Sequence, residues 1–561
     1  MSLPIEADVL VVGAGPVGLT LAMDLALRDV RVVLIETRQR GEPPSVKSNH
    51  VSARSMEIFR RLGVAAKVRN AGLPADYPND VAYRTSFLGR ELARIPIPCR
   101  AQRYTAKEGP DTWWPTPEPP HRINQIYLEP VLFEHAASFP GIRILNRTSL
   151  TDFAQNADCV TTRAVNLENG DDIEISSRFM VGCDGGSSIV RKKIGSKLTG
   201  DAIVQRVQSS YIRAPRLLDM LRDQGGIPAW NSFAMNPRRS GSIYAIDGRE
   251  TFLVHAYLGE SEKEFEAVDR DEAIRVMLGV DAGFRYELLS KEDWIGRRLV
   301  ADKFRDRRVF ICGDACHIWV PFAGYGMNAG IADATNLSWL LAAHHQGWAD
   351  EGILDAYERE RLPITEQVSH FAMNHAQAMT LARKSVPSQI EEEGPIGDAV
   401  RAAIGKSAYD LNVQQYCCAG LNFGYFYQNS PIIVDDGEIP PPYTMADFTS
   451  STVPGARVPH LWLTSGLSLY DAMGKYYTLL RFDQSLDVRS LTAAASAAGV
   501  PLAVFDVPLA IASEVYGHKL VLARPDQHVA WRGNELPVNS RSLIDHIRGV
   551  TRVAPETASA L

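Results

Sequence analysis

The sequence is poor in cysteine. Seven occur in 561 residues (Cys99, Cys159, Cys183, Cys312, Cys316, Cys417 and Cys418), and none forms a C-x-x-C. Neither a zinc ribbon nor a dithiol redox centre is suggested, and no metal site is expected. The odd count fits a reducing cytoplasm. Positive charge is also short: 59 Lys and Arg face 66 Asp and Glu, a net charge of -7. A broad phosphate-binding surface for nucleic acid is therefore disfavoured. Long apolar runs are missing too. Gly, Pro or charge interrupts each one before ~18 residues, so no membrane-spanning helix is expected. The opening M-S-L-P-I-E-A-D lacks the positive region of a signal peptide. What remains is ordinary globular composition, 45% hydrophobic and 22% charged. At roughly 150 residues per domain the length suggests three or four domains.

Residues 8–12 (D-V-L-V-V) read as a buried parallel strand. Gly13, Ala14, Gly15, Pro16, Val17 and Gly18 follow, then a helical pattern, then a second buried strand at 31–35 closed by Glu36. Each part has a physical task in holding a dinucleotide. Gly13 permits a tight turn, Gly15 lets backbone approach a pyrophosphate, and Gly18 lets helix pack on strand. The helix start offers unpaired N–H groups and a positive dipole end to the phosphates. Glu36 stands where an acid accepts hydrogen bonds from a ribose diol, which favours FAD or NAD over NADP at this unit. Pro16 and Arg38 are counted with the same cofactor-binding set.

Two further strand-to-turn motifs follow, G-C-D-G-G-S-S-x-V-R at 182–191 and V-F-I-C-G-D-A-C-H-x-x-x-P-x-x-G-Y-G-M-N at 309–328. With G-A-G-P-V-G these resemble, in order, the class A FAD-dependent aromatic hydroxylases, the group of p-hydroxybenzoate hydroxylase and phenol hydroxylase. The resemblance spans residues 8–363 and ends in Y-E-R-E-R-L-P. It implies that Asp314 bonds the flavin ribityl chain. It also implies that Gly324, Gly326, Met327 and Asn328 bring backbone to the isoalloxazine, and that Pro321 lies where oxygen reacts. Arg54, Gln125 and Asp184 match further cofactor-contacting positions, and Arg191 belongs to the Asp184 motif. Tyr325 departs from the family's usual glutamine. Cys312, Cys316 and His317 read as packing residues of the motif.

Between 205 and 289 the pattern alternates like an antiparallel sheet with one buried face. The resemblance implies a substrate-binding sheet over the flavin, with Trp230, Phe233, His255, Tyr257 and Asn49 as candidate lining. A flavin hydroperoxide attacks electron-rich rings, so a phenol near pKa ~10 needs activation at neutral pH. His50, in S-N-H-V-S-A-R, is the candidate base; the alternative is a histidine that only bonds backbone or cofactor.

Proline-rich and charged stretches at 112–120, 385–395 and 434–443 mark boundaries. The expected division is an FAD-binding domain (1–80, 121–204 and 290–384), a substrate sheet (81–120 and 205–289), a helical and linker segment (385–443) and a C-terminal domain (444–561). The last resembles the thioredoxin-like domain of the phenol hydroxylase branch, through P-G-A-R-V-P-H and L-V-L-A-R-P-D-Q-H-V-A-W-R-G. No cysteine follows Cys418, so it lacks dithiol chemistry and suggests an interaction or dimerisation role. The fold class is α/β, a Rossmann-like FAD domain with an inserted antiparallel sheet plus this C-terminal domain. The implied function is a single-component cytoplasmic monooxygenase, a homodimer, hydroxylating a phenolic aromatic with NAD(P)H and O2. Alternatives are a hydroxylase tailoring polycyclic polyketides and a non-catalytic flavoprotein or assembly module.

Overall fold

A computed structural model describes residues 4–320, 324–464, 466–508 and 514–550. The first sheet is built around five parallel strands in the order Val309–Ile311, Asp172–Gly182, Ile5–Val12, Val32–Ile35 and Ile142–Leu145. Val9, Leu10 and Val11 are fully buried, which is why this strand reads as a continuous apolar run rather than an alternation. The helix Pro16–Ala26 starts with proline at its first position, where the missing N–H costs nothing. An antiparallel pair, Thr148–Gln155 and Val160–Asn166, extends from the strand Asp172–Gly182.

The second sheet has nine strands, eight of them running in the order His317–Ile318, Trp294–Ala301, Leu198–Arg213, Thr251–Tyr257, Gly241–Ala245, Asn231–Ala234, Val81–Arg84 and Glu91–Ile95. It is antiparallel except where Val81–Arg84 runs parallel to Asn231–Ala234. It takes in more chain than 81–120 and 205–289. The long strand Leu198–Arg213 pairs along its first half with Trp294–Ala301, so the sheet begins before 205 and continues past 289. Sheet membership follows pairing, which composition does not mark.

Register sorts the side chains of this sheet into two faces. Tyr83, Phe233, Ser242 and His255 stand in one row, and Val81, Asn231, Tyr244 and Leu253 in the next row of the same face. Ile243 and Val254 point the other way, toward the helix Arg270–Leu278. The first face is covered by the helices Asp355–Lys384 and Pro395–Tyr416. The second of these lies so close to the strand Glu91–Ile95 that a Cβ at Gly405 would meet Leu92 O at 2.1 Å.

The C-terminal sheet runs Leu502–Asp506, Tyr477–Arg481, Leu520–Ala523, Val529–Gly533, parallel in the first pair and antiparallel after it. Helices Arg489–Ala497 and Ser540–Ile547 complete a thioredoxin-like βαβ–ββα unit. It shares one apolar core with the first domain: Trp339 meets Tyr477 edge-on at 5.8 Å, and Trp348 meets Tyr476 at 5.3 Å.

Its turn at 524–528 (R-P-D-Q-H) enters the first domain. Arg524 pairs with both oxygens of Glu360 (2.6 and 2.8 Å) and with Asp526 (2.7 Å), all inaccessible or nearly so. Glu360 also accepts from Asn336 Nδ2 (2.7 Å) and Ser430 Oγ (2.5 Å). Arg457 pairs with Glu57 in the same buried seam. The C-terminal domain is therefore tied by charge into its own chain. No helix among the described residues is long and apolar enough to cross a membrane.

Candidate active site

Gly13 holds φ +105, and a Cβ there would meet Cys183 O at 2.4 Å; one at Gly18 would meet Gly13 O at 2.0 Å. Gly15 has ordinary backbone angles, and a Cβ there would meet nothing within 4 Å. The first and third glycines are thus required by protein packing, while the second faces open space at an uncapped helix start. Ala14 N donates to Glu36 Oε2 (2.7 Å), which closes the loop onto the second strand. Burial works to raise the Glu36 pKa, but hydrogen bonds from Arg38 and Ala14 outweigh it and keep the carboxylate ionised. Arg38 is shared with Glu129 (2.5 Å), which in turn accepts from Gln125 Nε2 (3.0 Å).

The second motif is committed to its own backbone. Asp184 accepts from Ser188 Oγ (2.5 Å) and from the N–H groups of Ile189 (2.7 Å) and Val190 (3.2 Å), capping a short helix. Arg191 donates to Ala315 O (3.0 Å) and Gly186 O (2.8 Å), joining this motif to the third. In the third motif Gly313 and Gly330 close around the Val17 side chain, where a Cβ on either would meet it at 3.0 or 2.7 Å. This contact brings the starts of helices Pro16–Ala26 and Tyr325–His345 to one cleft. The second start is also uncapped by a side chain, with Gly324 left-handed at φ 59. Asp314 is exposed in the cleft, yet the surrounding protein raises its pKa by burial, partly offset by His317 and Lys47. Pro321 lies outside the described residues.

Asn328 works as a staple. Its Nδ2 donates to Gly324 O (2.6 Å) and His50 O (3.1 Å), and its Oδ1 accepts from Ser52 N (2.8 Å) and Ser55 Oγ (2.7 Å). This fixes the segment 48–55 against the loop at Gly324. Asn49 is used within that segment, accepting from Asn124 Nδ2 (2.5 Å). Arg54 has protein partners. Its guanidinium pairs with Glu57 (2.9 Å), Gln527 and Asp526 O (2.6 Å), so the hydrogen bonds it makes tie the C-terminal turn to the helix Ala53–Arg61. Tyr325 is buried, with its hydroxyl on Leu421 O (2.7 Å).

His50 is held by a cation. It pairs through backbone with Arg122, and Arg122 Nη1 donates to its Nδ1. Burial first, then the charge of Arg122, hold the His50 pKa well below 6.5. With Nδ1 occupied as acceptor, a neutral imidazole carries its proton on Nε2 and is a donor there. Burial, with the adjacent cation after it, penalises the imidazolium that a base would have to become, and this weighs against that role. Its ring edge faces the flavin-side loop: a Cβ at Gly324 would sit 3.5 Å from His50 Cδ2.

Arg122 lies over the Trp230 ring (4.8 Å) and near Tyr416 (5.8 Å). Trp230 meets Tyr244 at 5.5 Å, Tyr244 meets His255 at 5.6 Å, and His255 meets Trp294 at 5.7 Å. Trp230, Phe233, His255 and Tyr257 are therefore brought onto one aromatic face. Burial lowers the His255 pKa to about 4, so it stays neutral at physiological pH. Sequence reading missed Arg122, Tyr244, Tyr416 and Lys47. Arg122 has the sole signal of standing two residues before the helix cap Asn124.

The chain matches the family described as FAD binding domain over residues 6–372, and that described as aromatic-ring hydroxylase, C-terminal over residues 451–550. It belongs to the FAD-dependent aromatic-ring hydroxylases. FAD-dependent monooxygenase apdD of Emericella nidulans is 31% identical over 96% of the chain and 89% of its own length. Phenol 2-monooxygenase of a Pseudomonas species is 27% identical over 97% and 93%. Among solved structures, the rebeccamycin biosynthetic enzyme RebC with reduced flavin has a TM-score of 0.88 at 33% identity, covering 98% of this chain and all of that one. The hydroxylase is an FAD-dependent aromatic monooxygenase.

Its residues fit FAD: open space at Gly15 for a pyrophosphate, two uncapped helix starts at one cleft, and an exposed acid, Asp314, between them. The glycines separate experimentally. Gly18→Ala should destabilise the fold by about 1–3 kcal/mol, because its methyl collides with backbone. Gly15→Ala should leave the unfolding midpoint of the flavin-free protein unchanged while weakening flavin retention. Urea unfolding of the two variants, paired with their flavin-to-protein absorbance ratios, checks both.

Proposed function

We propose that the enzyme hydroxylates a phenolic ring, with NAD(P)H and O2 as co-substrates, on the aromatic face that ends at Arg122. The observation that carries this is the buried His50–Arg122 pair set between that face and the Gly324 loop. FAD, when bound, takes hydride from NAD(P)H and activates O2 for transfer of one oxygen atom to the ring. The chain's own part is to orient the ring, exclude water and favour the phenolate. A guanidinium about 4 Å from a phenolate oxygen, at an effective dielectric near 20, is worth roughly 4 kcal/mol. That equals about three pKa units, enough to bring a phenol from ~10 to near neutrality without a strong base. His50 Nε2–H adds a hydrogen bond to the charged form, and Trp230 and Tyr244 supply apolar walls.

NAD(P)H oxidation coupled to an oxygenated product, scanned across phenols by mass spectrometry, tests the reading. Absence of any oxygenated product counts against it. Asp314→Ala should weaken FAD binding about 10- to 100-fold, the scale of one charge-assisted hydrogen bond. Unchanged flavin content after gel filtration would remove Asp314 from the cofactor site. A polycyclic polyketide is the second reading, favoured by 29% identity over 97% of the chain to aklavinone 12-hydroxylase RdmE of Streptomyces purpurascens. The seven unpaired cysteines suit a reducing cytoplasm. A homodimer is part of the proposal, with light scattering as its check.

A further inference from the structure

Arg383 is a largely buried cation without an acid. It stands in the last turn of the helix Asp355–Lys384, with its guanidinium 4.4 Å from the Tyr257 ring centroid. Nη2 donates to Gln205 Oε1 (3.0 Å) and Thr380 Oγ1 (2.9 Å). Nη1 is buried and has no hydrogen-bond partner among the described residues. No carboxylate among the described residues pairs with this side chain, whereas the buried Arg361, Arg457 and Arg524 each meet one. Burial alone lowers the Arg383 pKa, with Tyr257 partly offsetting it. An uncompensated buried charge is costly, and a fold that keeps one is poised for a counter-charge from outside.

Arg383 lines a cavity of about 80 Å³ together with Tyr83, Phe233, Met379 and Leu411. The Tyr83 hydroxyl is buried there and also has no partner among the described residues, while its ring stacks on Phe233 at 5.2 Å. Burial raises the Tyr83 pKa well above 10, so the hydroxyl is a donor. Two donors, one of them cationic, thus line one small space, with Phe233, Met235, Met379, Ile404 and Leu411 as its apolar walls and Ser385, Ser407 and Asn412 as further polar lining. Tyr83 and Phe233 belong to the same register row as His255, which places the cavity on the aromatic face that leads to Arg122.

We infer that the substrate is an aromatic bearing an anionic oxygen group, a carboxylate in its simplest form, seated on Arg383 Nη1 and the Tyr83 hydroxyl. This rests on the hydroxylase reading and narrows its substrate class. The cavity has room for such a group and little more. The ring then lies along the face toward Trp230, with its reacting end at His50 and Arg122. A neutral substrate would leave both donors buried and unpaired, which is the stronger source of discrimination.

The test measures equilibrium binding to the FAD-loaded enzyme through flavin absorbance. The probes are 6-hydroxy-2-naphthoic acid, its carboxamide and 2-naphthol. The acid should bind about 10- to 100-fold tighter than either neutral probe. Arg383→Met should abolish that preference while changing the neutral probes less than about threefold, Arg383→Lys should keep part of it, and Tyr83→Phe should reduce it. Equal affinities in the wild type, an undiminished preference in Arg383→Met, or no binding of any probe overturns the inference. If Arg383→Met does not fold, the wild-type comparison and Arg383→Lys still decide it. An acid preference without oxygenated product from any bound probe would sink the hydroxylase reading and leave the anion subsite standing.

Discussion

Arg122→Leu should move the acidic limb of the kcat pH profile upward by as much as about 3 units. The phenolate is the reactive form, so the rate rises as pH climbs through the bound phenol's pKa. A buried guanidinium stabilises the phenolate and lowers that pKa; removing it raises the pKa, and the limb shifts to higher pH. Activity should recover above the new pKa, because the ring ionises there unaided. A residue that merely supports the fold would lower the rate equally at every pH, and such a parallel profile would refute the assignment. His50 gives a companion signal. Its pKa is held down by burial and by Arg122. With Arg122 gone, burial alone still keeps His50 neutral near pH 7, so the shift in the profile reports on the phenol.

Arg524→Leu should cost about 3–5 kcal/mol of stability, the usual penalty for stranding buried charges. Glu360 and Asp526 would both lose their counter-ion in a seam with almost no solvent contact. Adding Glu360→Gln and Asp526→Asn to Arg524→Leu should restore part of the loss, since neutral amides are cheaper to bury than carboxylates. Urea midpoints across this series give the comparison, and a single variant as stable as the wild type would contradict the account. Flavin retention should fall with stability, because Asp526 O and Gln527 also hold Arg54, next to the segment stapled by Asn328.

Much of the fold was legible because its signals are local. The strand–glycine–helix unit at 8–36 and the C-terminal alternation of strands and helices follow from short-range pattern. So does the need for FAD, since the glycine motif offers backbone and a helix dipole to a dinucleotide and only a few residue types permit it. The second sheet was harder. Leu198–Arg213 reads as one strand but pairs with two different partners, and no residue type marks that change. Arg122 and Arg383 were invisible for a related reason. An arginine in a short polar stretch or in the last turn of a helix looks solvent-facing, and only the pairing of distant strands and helices buries these two beside one aromatic face. The turn R-P-D-Q-H carried a family resemblance, yet its charges look like a surface loop until Glu360, some 160 residues earlier, is brought to it. Arg54 illustrates the converse: its position is as placed by the motif, but its partners come from the far end of the chain.

That last contact bears on how the protein is made. The hydrogen bond from Arg54 to Asp526 O spans 472 residues of chain. At roughly 5–20 residues per second, a ribosome needs about half a minute to a minute and a half between the two. Throughout that interval the helix Ala53–Arg61 has its arginine and Glu57 in place without the turn and Arg457 that complete them. The nascent flavin domain is therefore an unfinished surface during translation, and contacts of such separation form late. Chaperone dependence in heterologous expression should follow the synthesis of the final domain rather than that of the glycine-rich start.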